Sequence, residues 1–325
     1  MRKPEATKVA TYRLLIEYDG TRYSGWQEQR NARTVAGALL HALGEAGFPV
    51  AELGGAGRTD AGVHALGQCA HLRLEQRVDP DELCRALNRR LPRDVHVLAA
   101  VPAPASFHAR HDAVARSYLY QISRRRTAHA KPWVWWVREP LDVDRLRAGA
   151  ALLAGRHDFR NFAEPPTTRA SVGQVEPGRD STLVEVESVE VVEDGALVVV
   201  RMVASHFLWK MVRRLIGTLT QLGAAQLELD QLERLLEGAP LAPGDPRPAQ
   251  WTAPPSGLFL ERVLYAGDPP LAPVRAITRV LAAPTLGEGA AGAPDRAARR
   301  GRRPARPVPR TRRRPPPRRG RARPG

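Results

Sequence analysis

Along residues 11–265 the apolar positions recur with two periods, and each change of period marks an element. Residues 11–18 (TYRLLIEY) are β-prone and stop at Asp19-Gly20, a turn signal. Residues 34–45 place Val35, Leu39, Ala42 and Leu43 on one helical face, with Thr34 as the N-cap. Beyond a glycine-rich loop, residues 68–74 alternate as a strand. Asp79-Pro80 then supplies an N-cap and a first-turn proline for a helix to about Arg90. Residues 95–101 and 116–122 read as strands, and 144–153 as a helix closed by Gly155.

The second half repeats this alternation. Residues 182–192 and 196–203 form two strands around the hairpin signal Glu193-Asp194-Gly195. Helices follow at 207–222 and 230–236, and a last strand at 258–265. Strands and helices drawn from both halves predict α+β layers, with helices packed on a mostly antiparallel sheet. The chain divides into an N-terminal half (1–108), a C-terminal half (109–266) and a tail (267–325) rich in Pro and Arg, which is expected to be disordered.

Composition adds little until the charge is divided. The 325 residues carry a formal net charge of +16. Residues 291–325 hold fourteen Arg and a single acid, Asp295, a net +13 that leaves only +3 for everything before them. The tail reads either as an arm that releases counterions from a nucleic acid or as a solvated extension without a role. No apolar run approaches the roughly 18 residues of a membrane span, and residues 1–10 carry no secretory signal. The two cysteines, Cys69 and Cys84, are too few for a disulfide framework and fit a cytoplasmic protein.

The chemistry is concentrated in residues 54–68, GGAGRTDAGVHALGQ. Glycines at 54, 55, 57, 62 and 67 are expected to permit positive φ and close approach of a ligand. The segment lacks the Lys-Ser/Thr of a phosphate-binding loop and the spacing of a dinucleotide fingerprint. It displays one carboxylate, Asp60, with Arg58 two residues before it, and an Asp in such a loop is by itself more often a turn former. His64, Cys69 and His71 raise a metal site, but a fourth ligand is missing and no metal is expected.

The string GRTDAGVHALGQ (57–68) closely resembles the signature of the TruA family of tRNA pseudouridine synthases. So do YDG (18–20), YSGWQ (23–27), RTV (33–35), FHAR (107–110), ARSYLY (115–120), HDFRNF (157–162) and FLWKMVR (207–213). The resemblance spans roughly residues 11–265. It implies two ferredoxin-like halves with joined sheets, an active-site cleft between them, and a homodimer acting on uridines of the tRNA anticodon stem-loop. It also implies Asp60 as nucleophile, Arg213 as its ion-pair partner, Tyr118 stacked on the target uracil, and Arg58 and His64 at the substrate. The sequence departs from the family at Trp209-Lys210, where small polar or basic residues are usual, and at Tyr23, Ala36 and Ser117.

The chemistry of the reaction agrees with this list. Pseudouridine formation breaks a glycosidic bond at N1, turns the uracil and rejoins it through C5, without redox change, so no cofactor is expected. A carboxylate forms a covalent intermediate and divides one hard step into easier ones. The residues leave open whether it attacks the base or the sugar. A silent RNA-binding protein and a hydrolytic nucleosidase remain the alternatives of other classes.

Overall fold

A computed structural model describes residues 9–164 and 181–282. The N-terminal half runs β1 (Ala10–Tyr18), α1 (Val35–Glu45), β2 (Val50–Gly55), β3 (His64–Leu74), α2 (Pro80–Asn88) and β4 (Val95–Ala103). Its strands lie in the order β4-β1-β3-β2, every neighbour antiparallel. The C-terminal half runs β5 (Ala113–Ser123), β6 (Trp135–Trp136), α3 (Val143–Leu153), β7 (Gly155–Asp158), β8 (Leu183–Asp194), β9 (Leu197–Ala204), α4 (Met211–Gly223), α5 (Leu229–Leu236) and β10 (Leu258–Tyr265). Its order β10-β5-β9-β8 repeats that of the first half, again antiparallel throughout. Each half is thus the β-α-β-β-α-β arrangement of a ferredoxin-like fold.

The two sheets become one through β10. Phe259 and Leu260 pair in parallel with His64 and Ala65 at the start of β3, while the other edge of β10 pairs with β5. Beyond that short contact the same side of β3 is taken over by β2 at Ala70–Leu74. β10 therefore lies between the strand that follows the Asp60 loop and the strand that carries Tyr118.

Local chemistry explains the helix starts. The Thr34 hydroxyl accepts from Gly37 N–H at 3.2 Å. Asp79 accepts from Asp81 and Glu82 N–H, with Pro80 in the first turn. Asp142 caps α3 in the same way, one turn position earlier than the apolar pattern indicates. Leu39, Leu43, Leu83 and Leu87 from one half and Leu146, Leu153, Leu215 and Leu219 from the other pack into one continuous core with β1, β3 and β5. Burial of this apolar area is the main stabilising contribution. Among the described residues no helix is long and apolar enough to cross a membrane.

The helix expected over 207–222 runs instead from Met211 to Gly223, after Lys210 at φ 62°, and two further expectations need correction. Residues 54 and 55, read as loop glycines, belong to β2, whose sequence VAELGG has no alternation to announce a strand. A disordered tail from residue 267 is also incorrect for residues 267–282. Val280 is buried, its carbonyl accepts from Ala196 N–H at 2.8 Å, and Ile277 N–H donates to Gln121 Oε1 at 2.6 Å. With Val274 and Ala276 this segment covers Leu119, Leu197 and Val199, so β9 is buried along its whole length. A few apolar residues suffice because the sheet presents an apolar face to them. The arginine-rich residues 291–325 lie outside the described residues.

Candidate active site

The loop between β2 and β3 is fastened before Asp60 is reached. Ala56 N–H donates to Cys69 O at 2.8 Å, and Gln68 Nε2 donates to Gly57 O at 2.8 Å. Thr59 is held on both sides: Tyr18 shares a hydrogen bond with its hydroxyl at 2.8 Å, and Trp26 N–H donates to its carbonyl at 3.1 Å. Val63 N–H returns to Asp60 O at 3.1 Å and closes the turn. The segments YDG and YSGWQ thus form the cradle of this loop. Gly25 shows why a glycine is needed there: at φ 93°, a Cβ would sit 2.5 Å from Thr59 O.

Of the five loop glycines only Gly62 adopts positive φ, at 78°. Gly54 and Gly55 make room instead for protein neighbours, the ring of His71 and the indole of Trp26, where a Cβ would lie 2.3 and 2.5 Å from the nearest atoms. These glycines serve close packing of the cradle, which the sequence alone presented as approach of a ligand.

Both oxygens of Asp60 are engaged. Arg213 Nη1 lies 3.4 Å from Oδ2, and the Trp209 indole N–H donates to Oδ1 at 3.1 Å. Arg213 is itself aimed by a 2.7 Å hydrogen bond from Nε to Ala253 O. The carboxylate and guanidinium keep 24% and 16% of their side-chain exposure, so the pair is shielded yet open on one side. An ion pair in this position offsets the cost of withdrawing the carboxylate from water.

Tyr118 stands on β5 beside this pair, 9% exposed, with its ring edge-on to Phe207 at 5.1 Å. Burial, reinforced by Tyr18 and the charge of Asp60, pushes its phenol pKa up, so it remains protonated at neutral pH. Arg116, two residues earlier, joins three segments. Its guanidinium donates to Ala56 O at 3.3 Å, to Arg110 O at 2.7 Å and to Ser205 O at 2.9 Å. One side chain thus ties the Asp60 loop to the 107–113 segment and to the loop that leads to Trp209.

Arg58 is exposed, two residues before Asp60. His64, expected at the substrate, is 1% exposed and lies beneath the loop instead. Its Nδ1 accepts from Gly20 N–H at 3.2 Å and its ring stacks on Phe259 at 4.7 Å. Burial pulls its pKa down more strongly than the neighbouring Asp19 raises it. This histidine supports the loop from below and does not line the cleft. Trp209, Phe207, Gln68 and Tyr18 complete the site. Gln68 falls within the recognised string, whereas Trp209 is visible in the sequence only as a departure from the family.

The metal question takes a different form in the structure. Glu52, His71 and His108 bring potential ligand atoms within 4.8 Å of one another. His71 Nδ1 accepts from Ala109 N–H, and His108 Nδ1 accepts from Arg110 and His111 N–H. The hydrogen of each neutral ring is therefore on Nε2, which leaves no lone pair there for a cation. His71 Nε2 is instead spent on Glu52 at 3.1 Å.

The family model described as tRNA pseudouridine synthase matches residues 14–112 and 150–266. A tRNA pseudouridine synthase A from Cereibacter sphaeroides is 40% identical over 261 residues, covering 79% of this chain and 98% of that one. The enzyme of the same name from Dinoroseobacter shibae is 40% identical over 262 residues, 79% of this chain and 97% of its own length. That from Afipia carboxidovorans is 37% identical over 257 residues, 78% and 99% respectively. With this similarity along both halves, the chain belongs to the tRNA pseudouridine synthases, isomerases that convert uridine to pseudouridine in tRNA.

Proposed function

We propose that this chain isomerises uridines in the anticodon stem-loop of tRNA, with Asp60 as the nucleophile. The observation that carries the reading is the carboxylate of Asp60, displayed on a fastened loop and held by Arg213 from the opposite half. Asp60 attacks the nucleoside, the N1 glycosidic bond breaks, and the uracil turns and rejoins through C5. The Asp60 adduct then breaks and frees the carboxylate, and the proton lost from C5 to solvent is matched by one taken up at N1, so atoms balance without redox chemistry and no cofactor is needed. Arg213 keeps the carboxylate compensated in the ground state. Tyr118 offers its ring to the extruded uracil, replacing part of the lost stacking. Arg58, at the exposed rim, takes the phosphate of the flipped nucleotide.

We read residues 1–108 and 109–266 as the two halves of one catalytic body, working as a homodimer in the cytoplasm. The test is tritium release from C5-labelled uridine in unmodified tRNA, with Asp60→Asn alongside. Release by the parent without free uracil, and its loss in the variant, supports the isomerase and its nucleophile. Free uracil among the products would identify a nucleosidase. Binding without release would identify a silent RNA binder.

A further inference from the structure

Trp209 is 47% exposed, an unusual position for the largest apolar side chain. Its one polar atom, the indole Nε1–H, nevertheless donates to Oδ1 of Asp60 at 3.1 Å. The backbone around it is fixed from several sides. Glu164 N–H donates to Trp209 O at 3.0 Å, and Met211 N–H to Leu208 O at 3.1 Å. Lys210 follows in the left-handed region at φ 62°, a conformation unfavourable for a non-glycine residue. Its ammonium lies 3.6 Å from Glu164 Oε1 and 5.1 Å from the centre of the Trp209 ring. The turn at Lys210 sets the direction of Trp209 immediately before α4 begins, and α4 carries Arg213. One helix start therefore supplies both donors, a cation for Oδ2 and a neutral N–H for Oδ1.

We propose that Trp209 is a positioning residue for the isomerisation: its indole N–H holds Oδ1 of Asp60 while Arg213 holds Oδ2, which fixes the rotation of the carboxylate toward the incoming nucleoside. The inference rests on the reading of Asp60 as nucleophile. Two donors fix the plane of a carboxylate, where one leaves it free to rotate. A carboxylate oxygen has more than one lone pair, so Oδ1 keeps one for attack while accepting from the indole. A neutral donor also draws less charge from the nucleophile than a second cation would.

The test separates the N–H from the ring. Trp209→Phe keeps an aromatic ring and removes the donor. Trp209→His restores a donor, because imidazole Nε2 overlies indole Nε1 when the two five-membered rings are superposed. Tritium release is measured in single turnovers with enzyme saturating over C5-labelled tRNA, and tRNA affinity is measured separately by filter binding. Trp209→Phe should lower the saturated rate by about tenfold, the equivalent of one hydrogen bond, with Kd within about twofold of the parent. Trp209→His should recover part of that rate. A parental saturated rate in Trp209→Phe overturns the proposal, as does a defect confined to Kd, which would make Trp209 an RNA-stacking residue. A Trp209→His protein as slow as Trp209→Phe also overturns it. Asp60→Asn is run in parallel: turnover surviving there defeats the nucleophile reading itself, whereas an inactive Asp60→Asn beside a fully active Trp209→Phe defeats only the role of Trp209.

Discussion

Arg213 meets Asp60 across 3.4 Å although 153 positions separate them in the chain. The contact joins the two halves at the point where chemistry is expected, and its geometry depends on the second hydrogen bond, from Arg213 Nε to Ala253 O. Arg213→Ala leaves a shielded carboxylate uncompensated, and turnover should fall by about 30-fold or more, equivalent to about 2 kcal/mol. Arg213→Lys keeps the charge but loses the fork, and should recover only part of the rate. Steady-state tritium release compares the three proteins. Equal rates would remove Arg213 from the mechanism.

Asp60→Asn is expected to abolish turnover while sparing the fold. The loop is held through Gly57 O, Thr59 O and the Thr59 hydroxyl, none of which involves the Asp60 side chain. Stability should therefore change by less than about 1 kcal/mol, and tRNA affinity should be largely retained. Thermal unfolding and filter binding check both points. Loss of fold and binding together with activity would make Asp60 a structural residue.

Gly25→Ala tests the cradle. At φ 93° the new methyl would enter the space of Thr59 O, 2.5 Å away, and no rotamer relieves a Cβ. The expected cost is about 1–3 kcal/mol from strain at this backbone conformation. The Asp60 loop should shift as well, so activity should fall more than stability alone accounts for. A variant with the parental melting temperature and rate would show that the loop tolerates the displacement.

His64 gives the protein a pH dependence of definite sign. Burial lowers its folded pKa below the ordinary histidine value of about 6.5, so the unfolded chain binds the proton more readily. Its contribution is fully present above that value and is lost as pH falls toward the folded pKa. The melting temperature should decline from pH 7 to pH 5, and His64→Gln should flatten that decline. Parallel curves for the two proteins would assign the acid sensitivity elsewhere.

What the sequence revealed, and what it hid, follows from the range of each signal. Caps and turn residues act within a few positions, so Thr34, Asp79 and the Glu193-Asp194-Gly195 hairpin were legible, as was the last strand. Strand β2 was not, because its Gly54 and Gly55 are shaped by His71 and Trp26 from other segments. The helix expected from residue 207 begins only at Met211, after Lys210 at φ 62°, with Trp209 and Lys210 engaged by Glu164 and Trp209 also by Asp60. The candidate triad was reached through the family resemblance, Tyr118 by way of ARSYLY, Arg213 by way of FLWKMVR and Asp60 by way of the long string 57–68. His64 sits in the same string, yet its burial depends on Phe259 and Gly20, which no local pattern conveys.

The junction made by β10 has a consequence for how this enzyme comes into being. Residues 258–265 stitch the strand after the Asp60 loop to the strand of Tyr118. A ribosome delivers those residues after every proposed catalytic side chain has already emerged. The N-terminal half can acquire its own sheet early in synthesis. Asp60 and Tyr118 are joined through one sheet only when β10 arrives, so a nascent chain displays both side chains before that shared frame exists.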